Sequence, residues 1–304
     1  MILLLEQILN GLQYGITLFL LAAGLTLIFG IMGVINLAHG SLYMVGAFAG
    51  VYVAQLTGSY WLGVLGALAG SALAGLIIEA LVIRRLYQRE HLDQVLATFA
   101  LILILNQLVV LGFGRQPIFS AMPAGFSGSV QLLPGLYYPS YRLLVIMAGL
   151  AVAGGLYLLI NRTRIGMLVR AGATNRDMVR ALGVDIRLLY TVVFALGALL
   201  AGFAGYVTAP LSATQVGMGE QILLATLVVV VVGGVGSIKG AFVAGLGLGM
   251  FDTLMRAFLP DMLRLIMSPA DADALGASIS SMGIYLAMTL VLLVRPRGLF
   301  ASGG

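Results

Sequence analysis

The polar side chains best placed for chemistry stand in two glycine-broken interruptions of apolar runs. His39 lies in GIMGVINLAHGS (30–41) and Lys239 in GGVGSIKG (233–240). Ionisable groups beside apolar runs are costly and mark ion or solute paths, unless backbone or lipid headgroups satisfy them. His39 therefore has two readings, a proton relay or a hydrogen bond to backbone. Lys239 can snorkel to headgroups, and Asn36 can cap a half-helix or meet a solute. Reaction chemistry fares worse. Two histidines, His39 and His91, with no cysteine cannot make a usual zinc site. There is no G-x-S-x-G elbow. GGVGSIKG lacks the G-x-x-x-x-G-K-[ST] spacing of a phosphate loop, because Gly240 follows Lys239. No catalytic residue, metal site or cofactor is expected, and ATP hydrolysis has no visible means in this chain.

A second kind of site is a surface. The interval 161–187 carries six arginines against Asp177 and Asp185. Within it, TNRDMVRALG reads as a short helix. Thr174 or Asn175 can cap its start, and Asp177 suits the positive end of the helix dipole. Gly183 falls where a left-handed residue ends a helix. Met178 and Leu182, four apart, give it one small apolar face. The interval is either a solvated basic loop or a docking helix for a cytosolic partner.

The elements that must position these residues are helices in lipid. The chain has 304 residues, of which 61% are hydrophobic and 9% charged. Soluble proteins carry about 25% charged residues. A span needs ~20 apolar residues, so the length allows roughly eight to ten spans, some broken or re-entrant. The expected fold is an all-α polytopic membrane bundle forming one transmembrane domain over 1–304. The valine run at 228–232 is read as helix, since an unpaired strand in lipid leaves backbone groups unsatisfied. Residues 114–140 and 252–275 read as polar or mixed loops. The N-terminus, lacking a basic leader, reads as that of a mature protein. Eleven of the sixteen Lys and Arg residues lie in 84–89, 162–187 and 295–297, which the positive-inside rule assigns to the cytoplasm. They are spread among loops, so no nucleic-acid partner is expected.

Glu79 is expected to pair locally with Arg84 and Arg85, as the one carboxylate within a span. Asn106 and Gln107, inside the apolar run 95–113, either join helices or line a path. Gly33 and Gly40 match Gly233 and Gly240 at an offset of 200 residues. Broken helices in corresponding halves point to a transporter's solute path. The alternative for each is a tight helix–helix turn near the interface.

Three stretches together resemble the permease subunits of branched-chain amino-acid ABC importers: INLAHGSLYMVGAF (35–48), RAGATNRDMVRALGVD (170–185) and VVGGVGSIKGAFVAG (231–245). The resemblance runs in order along essentially the whole chain and is closest to the shorter of the two permease types. It implies a bacterial inner-membrane importer, in which two permease subunits pair and two cytoplasmic ATPase subunits dock below. A periplasmic binding protein delivers the solute. The family's coupling segment falls on 173–184, with Ala173, Asn175, Asp177, Met178, Arg180, Leu182 and Gly183 as candidate ATPase-coupling residues. Its broken segments fall on Asn36, His39 and Gly40, and on Gly233, Gly234, Gly236, Ser237 and Gly240, the candidate substrate path. Related permeases for urea, amides or aromatic acids share these motifs. An ion-coupled secondary transporter or channel is the rival from another class, and an integral membrane enzyme is the third.

Overall fold

The computed structural model describes residues 2–300, apart from the side chain of Asp177. The chain is an all-α bundle: α1 (Ile2–Met32), α2 (His39–Thr57), α3 (Tyr60–Leu86), α4 (His91–Phe113), α5 (Ser140–Arg162), α6 (Arg164–Thr174), α7 (Arg176–Ala181), α8 (Ile186–Thr208), α9 (Met218–Gly233), α10 (Ile238–Leu263) and α11 (Pro269–Val294). Between α4 and α5 lies a two-stranded antiparallel hairpin, β1 (Ser129–Leu133) and β2 (Leu136–Pro139). Among the described residues, seven helices are long and apolar enough to cross a membrane: α1, α3, α4, α5, α8, α10 and α11. The protein is therefore a multi-pass membrane protein. α2 and α9 are each entered through irregular backbone, residues 33–38 and 209–217.

α1 is apolar all round and buried over most of its length, which makes it the axis of the bundle. Its main partner is α10, and small residues let the two backbones meet. A Cβ on Gly15 would come 2.7 Å from the Gly245 carbonyl oxygen, and one on Gly11 would come 2.7 Å from the Met250 Cα. With lipid offering no hydrophobic drive to associate, this close packing is what holds such helices together.

The arginine clusters gather at one end of the bundle. There the C-terminus of α1 meets α6, with Gly172 packing near Ile31. The segment after α11 returns to the end of α9, where the Leu299 N–H donates to the Val232 carbonyl at 2.8 Å. At the opposite end the Tyr138 hydroxyl donates to Asn10 near the start of α1, and Ile118 bridges Thr214.

Three local features depart from the sequence reading. Residues 252–275 are mostly helix, not loop. α10 continues to Leu263 because Asp252 and Arg256 neutralise each other four apart at 2.8 Å. Arg264 then joins Asp261 and Asp273 across the turn into α11. Second, 114–140 contains the β-hairpin. Third, α3 passes through a π turn at Glu79–Ile83, of the kind that clusters at functional positions in helices.

Candidate solute path and coupling surface

The first glycine-broken segment leads into the bundle. α1 ends at Met32, residues 33–38 are irregular, and α2 begins at His39. The His39 Nε2 donates to the Leu21 carbonyl at 3.1 Å. Leu21 lies eleven residues before Met32, or about 16 Å along the helix axis. Since the hydrocarbon core is ~30 Å thick, α2 starts near mid-depth. Of the two readings of His39, the backbone hydrogen bond is present. Its Nδ1 and both amide atoms of the buried Asn36 have no protein partner, which is uncommon for buried polar atoms.

Gly40 is the closest point of this region. A Cβ there would overlap the carbonyl of Gly219, and one on Gly219 would overlap the carbonyl of Gly40. So α9 also begins at this level, entered through the irregular residues 209–217, and the two helices cross at their N-terminal turns. Toward the end opposite the arginines lies a cavity of about 320 Å³ lined by Tyr14, Tyr43, Gln215 and Gln221. The Tyr43 hydroxyl is tied to Thr208 Oγ1 at 2.5 Å. Sequence reasoning missed Gly219 and the cavity. Gly219 sits in VGMGE, which carries no break longer than an ordinary turn.

At the arginine-rich end, residues 33–38 are held from two sides. The Ile35 N–H donates to Gln94 Oε1 at 3.1 Å, while the Gln94 amide donates to the carbonyls of Leu86 and Arg89 at 3.2 and 3.1 Å. Gln94 is buried at the start of α4, although in the sequence it closes the polar interval RRLYQREHLDQ (84–94). On the other side stands Arg176, whose Nη2 would lie 3.3 Å from a Cβ at Gly33.

The second glycine-broken segment is different. Gly233 and Gly240 pack backbone to backbone across one turn, Gly234 ends α9, and Ser237 caps α10 by accepting from the Gly240 N–H at 3.0 Å. Gly236 rests near Gly30, where a Cβ would come 3.0 Å from the Gly236 Cα. The anticipated correspondence of 33–40 with 233–240 is therefore not reproduced. Gly40 meets Gly219, whereas Gly233, Gly234, Gly236, Ser237 and Gly240 build a helix–helix turn at the arginine-rich end. Lys239 is exposed there.

Two acids are buried, Glu79 and Asp252, and Glu220 is half-buried. Glu79 accepts both Arg84 donors and the hydroxyls of Tyr87 and Thr191, so Arg84 is its partner and Arg85 is not. Glu220, in the first turn of α9, accepts from the Asn106 amide at 2.5 Å, which joins α4 to α9. Asp252 is buried against Arg256. Each of these carboxylates has a partner, and none stands alone in the interior.

The interval 161–187 holds two helices where one was expected. α6 is amphipathic, with Val169 buried against the bundle. α7 follows after a single residue, Asn175, which caps it by accepting from the Met178 N–H at 2.9 Å. Asp177 is in its first turn, where its side chain lies outside the described residues. Gly183 takes φ +83°, and its N–H bonds to the Arg180 carbonyl, as a left-handed helix end requires. Ala173 and Arg180 are exposed. Met178 is 58% and Leu182 76% exposed, while Val179 between them is buried. An apolar pair this exposed beside arginines, outside the spanning helices, is an unfinished surface.

A multi-pass bundle with two helices that begin and cross at mid-depth, and an exposed helix beneath them, has the form of a transport permease. Residues 7–293 match the family described as the branched-chain amino acid transport system permease component. The chain belongs to that family. It is 29% identical, over 97% of its own length and 95% of the relative's, to the high-affinity branched-chain amino acid transport system permease protein BraD of Pseudomonas aeruginosa. It is 27% identical to LivH of Escherichia coli, again over 97% of this chain and 94% of the relative. The same identity holds for a probable branched-chain amino acid transport permease protein of Methanocaldococcus jannaschii, over 97% and 92%. No solved structure matches the chain.

Proposed function

We propose that this chain is the membrane-spanning subunit of an ATP-binding-cassette importer that carries branched-chain amino acids across a bacterial inner membrane. Arginine-rich loops are retained in the cytoplasm, so α7 faces the cytosol in this reading. The observation that carries it is the placement of Arg176, the first residue of α7, against Gly33, where the chain turns in toward His39 and Gly40. A displacement of α7 thereby reaches the mid-depth crossing through one short segment. The working partners are a second permease subunit, two cytoplasmic ATPase subunits that carry out all ATP hydrolysis, and a periplasmic binding protein. The solute assignment rests on the relatives' names. The solute path runs from the Tyr14–Tyr43 cavity past Gly40 and His39. Ala173, Met178, Arg180 and Leu182 form the ATPase-facing surface, positioned by the Asn175 cap and the Gly183 end.

Burying one large apolar side chain is worth ~1.5–3 kcal/mol. Met178→Asp is therefore expected to release the ATPase subunits on copurification and to abolish solute-stimulated hydrolysis in proteoliposomes, while the bundle inserts normally. Wild-type values for both would remove α7 from the coupling contact. The ion-coupled rival is tested by uptake in cells lacking the ATPase. It requires uptake to persist and to stop with an ionophore.

A further inference from the structure

A groove of about 660 Å³ opens sideways between α1, α5 and α10, apart from the crossing and its cavity. Along α1 it reaches from Phe19 to Ile31, a rise of about 18 Å. That is close to half of a ~30 Å hydrocarbon core, so the groove runs the depth of one leaflet, the one on the arginine-rich side. Its walls are mostly apolar, with Thr26 part-way along α1, and at the end nearest the arginines Arg170, Lys239, Asn161 and Ser237 converge. Arg170 donates to the Ile160 carbonyl, and among the described side chains no carboxylate pairs with it or with Lys239. Tyr157, 53% exposed, stands on the rim, a residue type that favours the headgroup level.

We propose that this groove is a binding site for one anionic phospholipid of the arginine-side leaflet. An acyl chain lies along α1, and the phosphate is held by Lys239 and Arg170. Basic pockets between helices, at the level of the headgroups, recognise anionic lipids through this combination. A second permease chain is a poorer occupant, because the groove is concave to the depth of a single leaflet and its charged end is uniformly positive. The site rests on the membrane reading of the chain but not on which solute it carries, so a failed transport assay leaves it untouched.

The test uses the full chain in nanodiscs holding equal phosphatidylglycerol and phosphatidylcholine, with retained lipids counted by native mass spectrometry. One phosphatidylglycerol is expected to stay bound in preference to phosphatidylcholine. Lys239→Glu should lower that preference at least fivefold, the factor that loss of one basic residue near an anionic surface corresponds to at ~1 kcal/mol. Gly154 lines the groove from α5, and Gly154→Leu should expel the lipid without unfolding, since a Cβ there meets nothing within 4 Å. No retained lipid, equal retention of both lipids, or unchanged retention in both variants would overturn the site. A photocrosslinker at position 154 separates the occupants: a lipid adduct supports the proposal, and an adduct with a second permease chain overturns it.

Discussion

Residues 33–40 and 233–240 carry the same sequence signature and do different work. In the first, glycine permits two helices that begin inside the membrane to cross backbone to backbone, and the neighbouring Asn36 and His39 are buried with unused polar atoms. In the second, glycine closes a turn between α9 and α10 at the arginine-rich end, where Lys239 is exposed. The first is a candidate for the solute path, and the second shapes the bundle beside it. A glycine break in an apolar run therefore reports close backbone approach, and its depth decides what that approach is for.

The comparison yields graded expectations. Gly40→Leu should have the largest effect, since its side chain meets the Gly219 backbone and no rotamer can relieve that. Overpacking of this kind costs about 1–3 kcal/mol or more, and solute uptake is expected to be lost along with a lower melting temperature. Normal uptake by this variant would remove the crossing from the path. Gly236→Ala is milder. The new Cβ would lie 3.6 Å from Gly30, within ordinary contact, and the cost comes from φ +82°, at about 1–2 kcal/mol. It should lower the melting temperature modestly and leave most uptake intact. Uptake lost at unchanged stability would return the turn to the path. His39→Asn should cost least, about 0.5–1.5 kcal/mol for one hydrogen bond, with the pH profile of uptake unchanged. A profile flattened by the substitution would make His39 a proton carrier instead.

What could be read beforehand follows from the range of the forces. Apolar runs long enough to cross lipid identify helices by themselves, and the cap at Asn175 and the left-handed end at Gly183 are local, so α7 was legible. The break before α2 was legible from its glycines and from Asn36 and His39. Its partner was not. Gly219 touches Gly40 from a distant part of the chain, and pairwise packing leaves no mark in either local sequence. Gln94 was hidden for another reason. A glutamine after charged residues looks solvated until tertiary contacts bury it. Residues 252–275 read as a loop because their charge was counted residue by residue, whereas pairs such as Asp252–Arg256 cancel within one helix.

The π turn of α3 bears on how the chain enters the membrane during synthesis. Its wider winding brings the Arg84 guanidinium, five residues on, to both oxygens of Glu79. Acid and base thus belong to one helix and can discharge each other before any neighbour has emerged from the ribosome. An unpaired charge at the centre of a span costs ~2.5–3.5 kcal/mol during insertion, and this helix avoids presenting one as it partitions into lipid. Thr191, made more than a hundred residues later, adds its hydroxyl to a carboxylate whose charge is already met within its own helix.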